Sequence, residues 1–196
     1  MRYRIRTSRL VVWPLAVGII LAGSLWEAQV AFRGLLLLIG CVFVSIAAIG
    51  RLWCSQYICA YKTKHLVTSG PYSLTRNPLY VFSSIGAVGL GFATETLAIP
   101  FVLALMFALF YPKVIRDEEA KLAALHGEPF KAYMARVPRF WPRSLKIVEP
   151  EEYIVSPVKF RHALMDAIWF MWILGIIQMA EALRRAGILP TLVKLY

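Results

Sequence analysis

Pro78 to Pro112 reads PLYVFSSIGAVGLGFATETLAIPFVLALMFALFYP, two apolar blocks that meet at Thr94-Glu95. Glu95 is the only charged residue in the stretch. Blocks of about 17–25 apolar residues are long enough to cross the hydrocarbon core of a bilayer as helices. The turn between these two is so short that the helices must lie antiparallel and in contact. The spacing predicts a span over residues 78–94 and another from about Leu97 to Pro112, the third and fourth counted from the N-terminus. Pro100 falls in the first turn of the later helix, where a missing N–H does no harm. GAVGLG, from Gly86 to Gly91, lacks the spacing and the preceding strand of a dinucleotide-binding loop. Its small residues are expected to pack tightly against the fourth span.

The rest of the chain repeats this pattern. Its 196 residues are 59% hydrophobic, and the mean hydropathy is +0.63, more apolar surface than a soluble domain can use. Residues 10–29 are expected to form a first span, with Trp13 and Trp26 as interfacial aromatics near its ends. No small-x-small cleavage site follows it, so it reads as a retained helix and not as a signal peptide. Residues 34–53 read as a second span. Gly34, Gly40, Ser45, Ala47, Ala48 and Gly50 give it positions for close helix contact, and it should continue in the interface to about Tyr61. Residues 163–183 read as a fifth span, interrupted by Asp166, Gln178 and Glu181. The expected fold is all-α: a polytopic membrane helical bundle of about five transmembrane helices, one domain over residues 1–196.

Between Lys113 and His162 the chain turns polar. Leu122, Leu125, Phe130, Tyr133, Met134 and Val137 recur at helical spacing, which predicts an amphipathic helical segment on the membrane surface. Gly127 and Pro129 should break it in two. Pro138, Pro142, Pro150 and Pro157 should make residues 138–157 an irregular connection. The 22 Lys and Arg outnumber 11 Asp and Glu, a net charge of +11. These cations sit between apolar blocks and not along one soluble face, which argues for the positive-inside bias over nucleic-acid binding. With five spans, the N-terminal arm, the 62–76 loop and the 113–161 segment share one side, which the bias makes cytoplasmic. The expected location is a bacterial inner membrane or the endoplasmic reticulum. Cys41, Cys54 and Cys59 stand at no metal-ligand spacing and read as packing residues, so no metal site is expected.

The polar stretch KHLVTSGPYSLTRNPLY, Lys64 to Tyr80, is pinned between two spans and is the best place for chemistry. Its fragments are bland singly: Gly70-Pro71-Tyr72 is a turn, and Arg76-Asn77-Pro78 a basic helix start. Glu118-Glu119 runs against the local charge. It reads either as a solvated face beside Lys121 or as carboxylates that hold a cation. Adjacent helix residues point about 100° apart, so at most one of the two can aim squarely into a pocket. The hairpin folds this pair back beside the 64–80 loop.

Taken together, LVTSGPY, RNPLY, the hairpin, and the EE, HG and Tyr pattern of Glu118 to Tyr133 resemble the membrane methyltransferase superfamily. That superfamily includes the protein-S-isoprenylcysteine carboxyl methyltransferases and the phospholipid N-methyltransferases. The resemblance covers about residues 50–142; the helix at about 163–183 is an addition to that core. It implies S-adenosyl-L-methionine as cofactor, with Lys64, His65, Leu66, Val67, Gly70 and Tyr72 in the pocket and Asn77, Pro78, Leu79 and Tyr80 around the adenosyl part. It implies that Glu119, with Glu118, meets the cofactor's cationic amino-acid end, and that Arg76, Tyr80, Arg116 and Glu119 serve catalysis. It also implies a lipid or lipid-modified acceptor entering from the bilayer. The first expectation is an isoprenylcysteine carboxyl methyltransferase-like enzyme; the alternatives are a phosphatidylethanolamine N-methyltransferase and, from another class, a non-catalytic membrane carrier or assembly factor. Two positions depart from the carboxyl enzymes. Asn77 stands where they commonly have His, and the Arg they place a few residues before the Glu pair could here be Lys113 or Arg116.

Overall fold

The computed structural model describes residues 22–26, 28–60, 65–191 and 193–196. Four helices build the bundle: α1 (Val30–Ile58), α3 (Pro78–Phe92), α4 (Ala98–His126) and α6 (Pro157–Arg185). Two short helices, α2 (Pro71–Leu74) and α5 (Glu128–Arg136), gather at one end. A two-stranded parallel pair, β1 (Ala22–Ser24) and β2 (Val193–Leu195), closes the other. The chain is a mostly helical membrane protein. α1, α4 and α6, of 29 residues each, are long and apolar enough to cross a bilayer. α3 is apolar but has 15 residues, about 22 Å of helix against a core of about 30 Å.

The hairpin is present, and its packing explains the small residues. A Cβ at Gly40 would stand 2.7 Å from both Ala93 N and Gly89 O, so α1 and α3 cross backbone to backbone. A Cβ at Gly86 would meet Phe170 of α6 and Ala47 of α1. Only Gly91 is turned to α4, where its Cβ would lie 2.6 Å from Pro100 Cα. The expectation that this glycine run packs on the fourth span is therefore corrected: it mostly serves α1 and α6. Leu38, Ile46 and Ile49 of α1, Phe101, Leu105 and Leu109 of α4, and Trp169, Trp172 and Ile176 of α6 remain exposed. In a membrane protein those faces meet lipid.

Two further expectations change. Residues 10–21 of the expected first span lie outside the described residues. The described remainder, 22–26 and 28–29, is not helical. Ala22 to Ser24 pair with Val193 to Leu195, and Leu25 N donates to Leu195 O at 2.8 Å. Gly23 permits this approach, since a Cβ there would lie 2.6 Å from Thr191 Cγ2. The fourth helix, moreover, does not stop at Pro112. It runs unbroken to His126, with Pro112 inside it. One missing N–H is tolerated when the turns on either side are bonded, and Arg116 Nε donates to the Pro112 carbonyl at 3.2 Å. Glu118 and Glu119 thus belong to the same rigid rod as the span.

At the strand end, the polar interruptions of α6 find partners. Gln178 Nε2 donates to Ala93 O at 2.7 Å. Arg33 and Arg185 both hold the carboxylate of buried Glu95, and Arg184 holds that of Glu181. Glu95 has φ 58°, a left-handed conformation that costs a non-glycine residue about 1–2 kcal/mol. The guanidinium groups offset that cost and tie α1, the hairpin turn and α6 together. Asp166 is exposed.

Candidate functional site

In the connection from α1 to α3, Gly70 makes the tight turn ahead of α2 possible. It has φ 60°, and a Cβ there would fall 2.3 Å from Tyr57 Cζ. Its N–H donates to Val148 O at 2.8 Å, anchoring the 137–156 connection. Pro71 then opens α2, and Thr75 leaves it in extended conformation with its Oγ1 donating to Arg139 O at 2.9 Å. Asn77-Pro78 opens α3. α5 roofs this loop: Phe130 and Tyr133 are buried, and Tyr133 Oη donates to Tyr72 O at 2.7 Å. Burial pushes the Tyr72 and Tyr133 hydroxyls well above the usual tyrosine range, so both stay protonated donors at ordinary pH.

These elements enclose a cavity of about 360 Å³. His65, Leu66, Val67, Tyr72, Arg76, Asn77, Pro78, Leu79, Tyr80, Glu118 and Glu119 line it, joined by Ile58, Leu122, His126, Phe130 and Tyr133. The sequence separates the first nine of these from the two glutamates by a whole hairpin, and the fold brings them to one wall. Lys64 lies outside the described residues. Gly70 is not on the wall; it shapes the turn beneath Tyr57. Arg116 is not on the wall either, being exposed and turned to its own helix carbonyl. Lys113 is exposed as well. His126 also lines the cavity, and its Nε2 is buried without a hydrogen-bond partner.

Glu119 is the electrostatic centre. Its Oε2 receives Arg139 Nε at 3.1 Å and Arg139 Nη2 at 2.6 Å. Its Oε1 faces Arg76 Nε at 3.1 Å and Asn77 Nδ2 at 3.4 Å. The Arg76 Nε contact has ion-pair distance but not hydrogen-bond alignment, so that buried N–H keeps no hydrogen-bond partner. Arg76 Nη1 donates to Met134 O at 3.1 Å. Glu118, one residue earlier, is exposed and accepts from Tyr80 Oη at 2.8 Å. Sequence reasoning sought the substrate-facing cation at Lys113 or Arg116, set only Lys121 beside the Glu pair, and passed over Arg139. The available signal was a cation set between Pro138 and the Phe140-Trp141 pair, on a stretch that had to lie across the loop.

A second cavity, about 460 Å³ and apolar, lies between α3 and α4. Val81, Ser84, Ile85 and Val88 form one side, and Ala104, Phe107, Ala108 and Tyr111 the other. Phe140 and Trp141 also line it. Tyr80 is the residue common to both linings. Its ring packs edge-on against Tyr111 at 5.1 Å between centroids.

The phospholipid methyltransferase family model matches residues 26–128. The nickel-cobalt-cadmium resistance protein NccN of Alcaligenes xylosoxydans xylosoxydans is 40% identical over 194 residues, 99% of this chain and 90% of the relative. The cobalt-zinc-cadmium resistance protein CzcN of Cupriavidus metallidurans is also 40% identical over 194 residues, 99% of this chain and 89% of its own. The protein-S-isoprenylcysteine O-methyltransferase of Schizosaccharomyces pombe is 38% identical over 77 residues, 37% of this chain and 31% of its own. No solved structure matches.

Proposed function

Because the chain belongs to the phospholipid methyltransferase family, we propose that it is an integral-membrane S-adenosylmethionine-dependent methyltransferase acting on a lipidic acceptor. One observation carries this reading: a single tyrosine, Tyr80, stands between a cavity that holds charged side chains and an apolar one that holds none. The charge-bearing cavity fits the cofactor. It is in the size range of small-molecule sites, and it mixes apolar walls for a nucleoside with charges for an amino-acid end. Buried Arg76 Nε and His126 Nε2 lack hydrogen-bond partners there. Leu66, Val67, Leu79 and Phe130 would hold the adenosyl part, and Asn77, Arg76, Glu118 and Glu119 the charged end.

When bound, S-adenosylmethionine supplies a methyl group on a sulfonium: the acceptor's lone pair forms the new bond while the C–S electron pair stays on sulfur. The chain's task is alignment and exclusion of water. Tyr80, backed by Tyr111, would orient the acceptor head, and the apolar cavity would hold its chain. The site end carries the cationic segments, which supports a cytoplasmic orientation by the positive-inside rule.

A carboxylate acceptor needs a cation and no base; an amine acceptor needs a base and no cation. The amine reading has the better support. The apolar cavity lining holds no Lys or Arg, and Arg116 is turned to Pro112 O. Tyr80 and Glu118, hydrogen-bonded at the cavity wall, can take up the proton an amine must lose. The metal-resistance names of the two long relatives are taken as a physiological setting, not as a carrier role.

The test uses purified protein in detergent with methyl-labelled cofactor. Saturable cofactor binding and transfer of label to a lipid extract are expected. Phosphatidylethanolamine and prenylcysteine, supplied side by side, assign the acceptor. Absence of saturable binding overturns the proposal.

A further inference from the structure

α6 lies beyond the residues that the family model matches, and its outward face differs from those of α1 and α4. Gly34 to Gly50 of α1 and Ala98 to Pro112 of α4 contain no charged residue, so lipid is a sufficient cover for their exposed side chains. Ala163 to Ala180 of α6 contains one, Asp166. It is exposed, and among the described residues it forms no hydrogen bond or ion pair. It stands about 13 Å along a helix of about 43 Å, which for a centred, upright span is about 7 Å inside the hydrocarbon. A carboxylate at that depth is costly when it faces lipid and is normally paired.

The same face carries a seam. Met165, Trp169, Trp172, Ile176 and Met179 are all exposed, and their spacing alternates four and three residues, the a/d repeat of two packed helices. Buried Ala167 and Ile177 lie on the opposite side. In this repeat Arg161 takes a g position and Asp166 the e position of the next heptad. Within one helix the two point about 140° apart and cannot meet. Between two parallel helices, g of one faces e of the other, five residues on. Arg161 is exposed and, among the described residues, forms no ion pair. A Cβ at Gly175, on the flank of Arg161, would meet nothing within 4 Å, which leaves room for a second backbone to approach.

We propose that the outward face of α6 docks on a second copy of this chain, in a parallel two-fold dimer where Arg161 of each protomer pairs with Asp166 of the other. Copies inserted the same way are related by an axis along the membrane normal, so their α6 helices run parallel. A helix of another protein would have to bring its own cation; a second copy brings Arg161 in the required register, twice. His162 also falls on the seam, near the hydrocarbon edge where water reaches it. None of the lining of the apolar cavity belongs to α6, so the dimer leaves that lining in place. The pairing depends on neither methyl donor nor acceptor.

Energy transfer between separately labelled full chains, co-reconstituted in phosphatidylcholine vesicles and diluted with lipid, tests it. The parent should follow a monomer–dimer curve. Arg161→Asp and Asp166→Arg should each raise the protein-to-lipid ratio of half-dissociation about tenfold or more, the loss of two pairs of the strength found between membrane helices. Arg161→Asp combined with Asp166→Arg rebuilds the pair in reverse and should restore most of the parental transfer. Far-UV circular dichroism should show the same helix content in every variant. As a readout without charge changes, Trp172→Cys on the seam should form an intermolecular disulfide under mild oxidation, while the parent and Phe101→Cys on the outward face of α4 should not. A parent that stays monomeric at every dilution overturns the proposal. So do single variants that dissociate no more readily than the parent, a double exchange no better than either single, and cross-linking at Phe101→Cys in place of Trp172→Cys.

Discussion

Replacing Glu119 by Ala tests the charge cluster without any assumption about chemistry. The side chain is 8% exposed and faces Arg76, 11% exposed, and Arg139, 40% exposed. Removing one partner of a buried pair costs about 3–5 kcal/mol, since the remaining charge is left uncompensated. Arg139 can turn to water, which removes most of its share. Arg76 cannot do so readily, although it keeps its bond to Met134 O. The low end of the range, about 3 kcal/mol, is therefore expected. For a chain of this size that corresponds to a fall in Tm of about 6–12 °C. Tryptophan fluorescence during heating in detergent measures it, with far-UV circular dichroism to confirm that the helices persist. Glu118→Ala is the internal control: its carboxylate is exposed, and a change within about 0.5 kcal/mol is expected. A Glu119→Ala protein that melts within a degree of the parent, or a larger loss in Glu118→Ala, would refute the reading of Glu119 as the hub.

Tyr80→Phe keeps the ring wall but removes the bond to Glu118. Transfer to an amine acceptor should fall on the order of 10²-fold while cofactor binding holds; equal loss with a carboxylate acceptor would count against the proton-accepting role. Gly70→Ala puts a Cβ into the Tyr57 ring at positive φ, so about 1–2 kcal/mol of backbone strain should loosen the connection anchored through Val148. Faster tryptic cleavage at Arg143 and Lys146 reports it, and an unchanged digestion rate argues against that anchor. The raised Tyr72 and Tyr133 hydroxyls set an alkaline limit. The unfolded chain ionises near pH 10 while the folded one must stay protonated, so stability is full below that pH and is lost as pH rises beyond it. Tyr133→Phe should be less stable at neutral pH by about 1 kcal/mol yet lose stability less steeply above pH 10; parallel pH profiles of the two proteins would contradict this.

The hairpin and the loop were legible because both depend on local composition. An apolar run, a Gly-Pro turn and an Asn-Pro helix start each carry their meaning within a few residues. The continuation of α4 through Pro112 was not legible, because proline ends helices more often than it is carried inside them. Nor was the short strand at Ala22–Ser24, whose partner lies at the far end of the chain. The site divides along the same line. His65 to Val67, Tyr72, Arg76 to Tyr80 and the glutamate pair all reach one wall. Arg139 was missed because its pairing with Glu119 comes through an irregular segment, where no periodicity marks which side chain turns inward. Glu95 and Glu181 could be seen as anomalies in apolar surroundings; Arg184 lies one turn from Glu181 on the same helix, but Arg33 and Arg185 reach Glu95 only through the packing of α1 and α6 against the hairpin turn.

The tyrosine wall has a consequence for kinetics. On the proposed reading, one reactant is dissolved in a volume and the other in a sheet, and they meet through Tyr80 without entering each other's medium. Turnover should then follow the mole fraction of acceptor among the surrounding lipids, not its amount per millilitre. Diluting the acceptor with inert lipid at constant total acceptor would slow the reaction; adding more buffer at the same cofactor concentration would not. Each product would return to the phase its parent came from, so the methylated lipid stays in the leaflet where it was made.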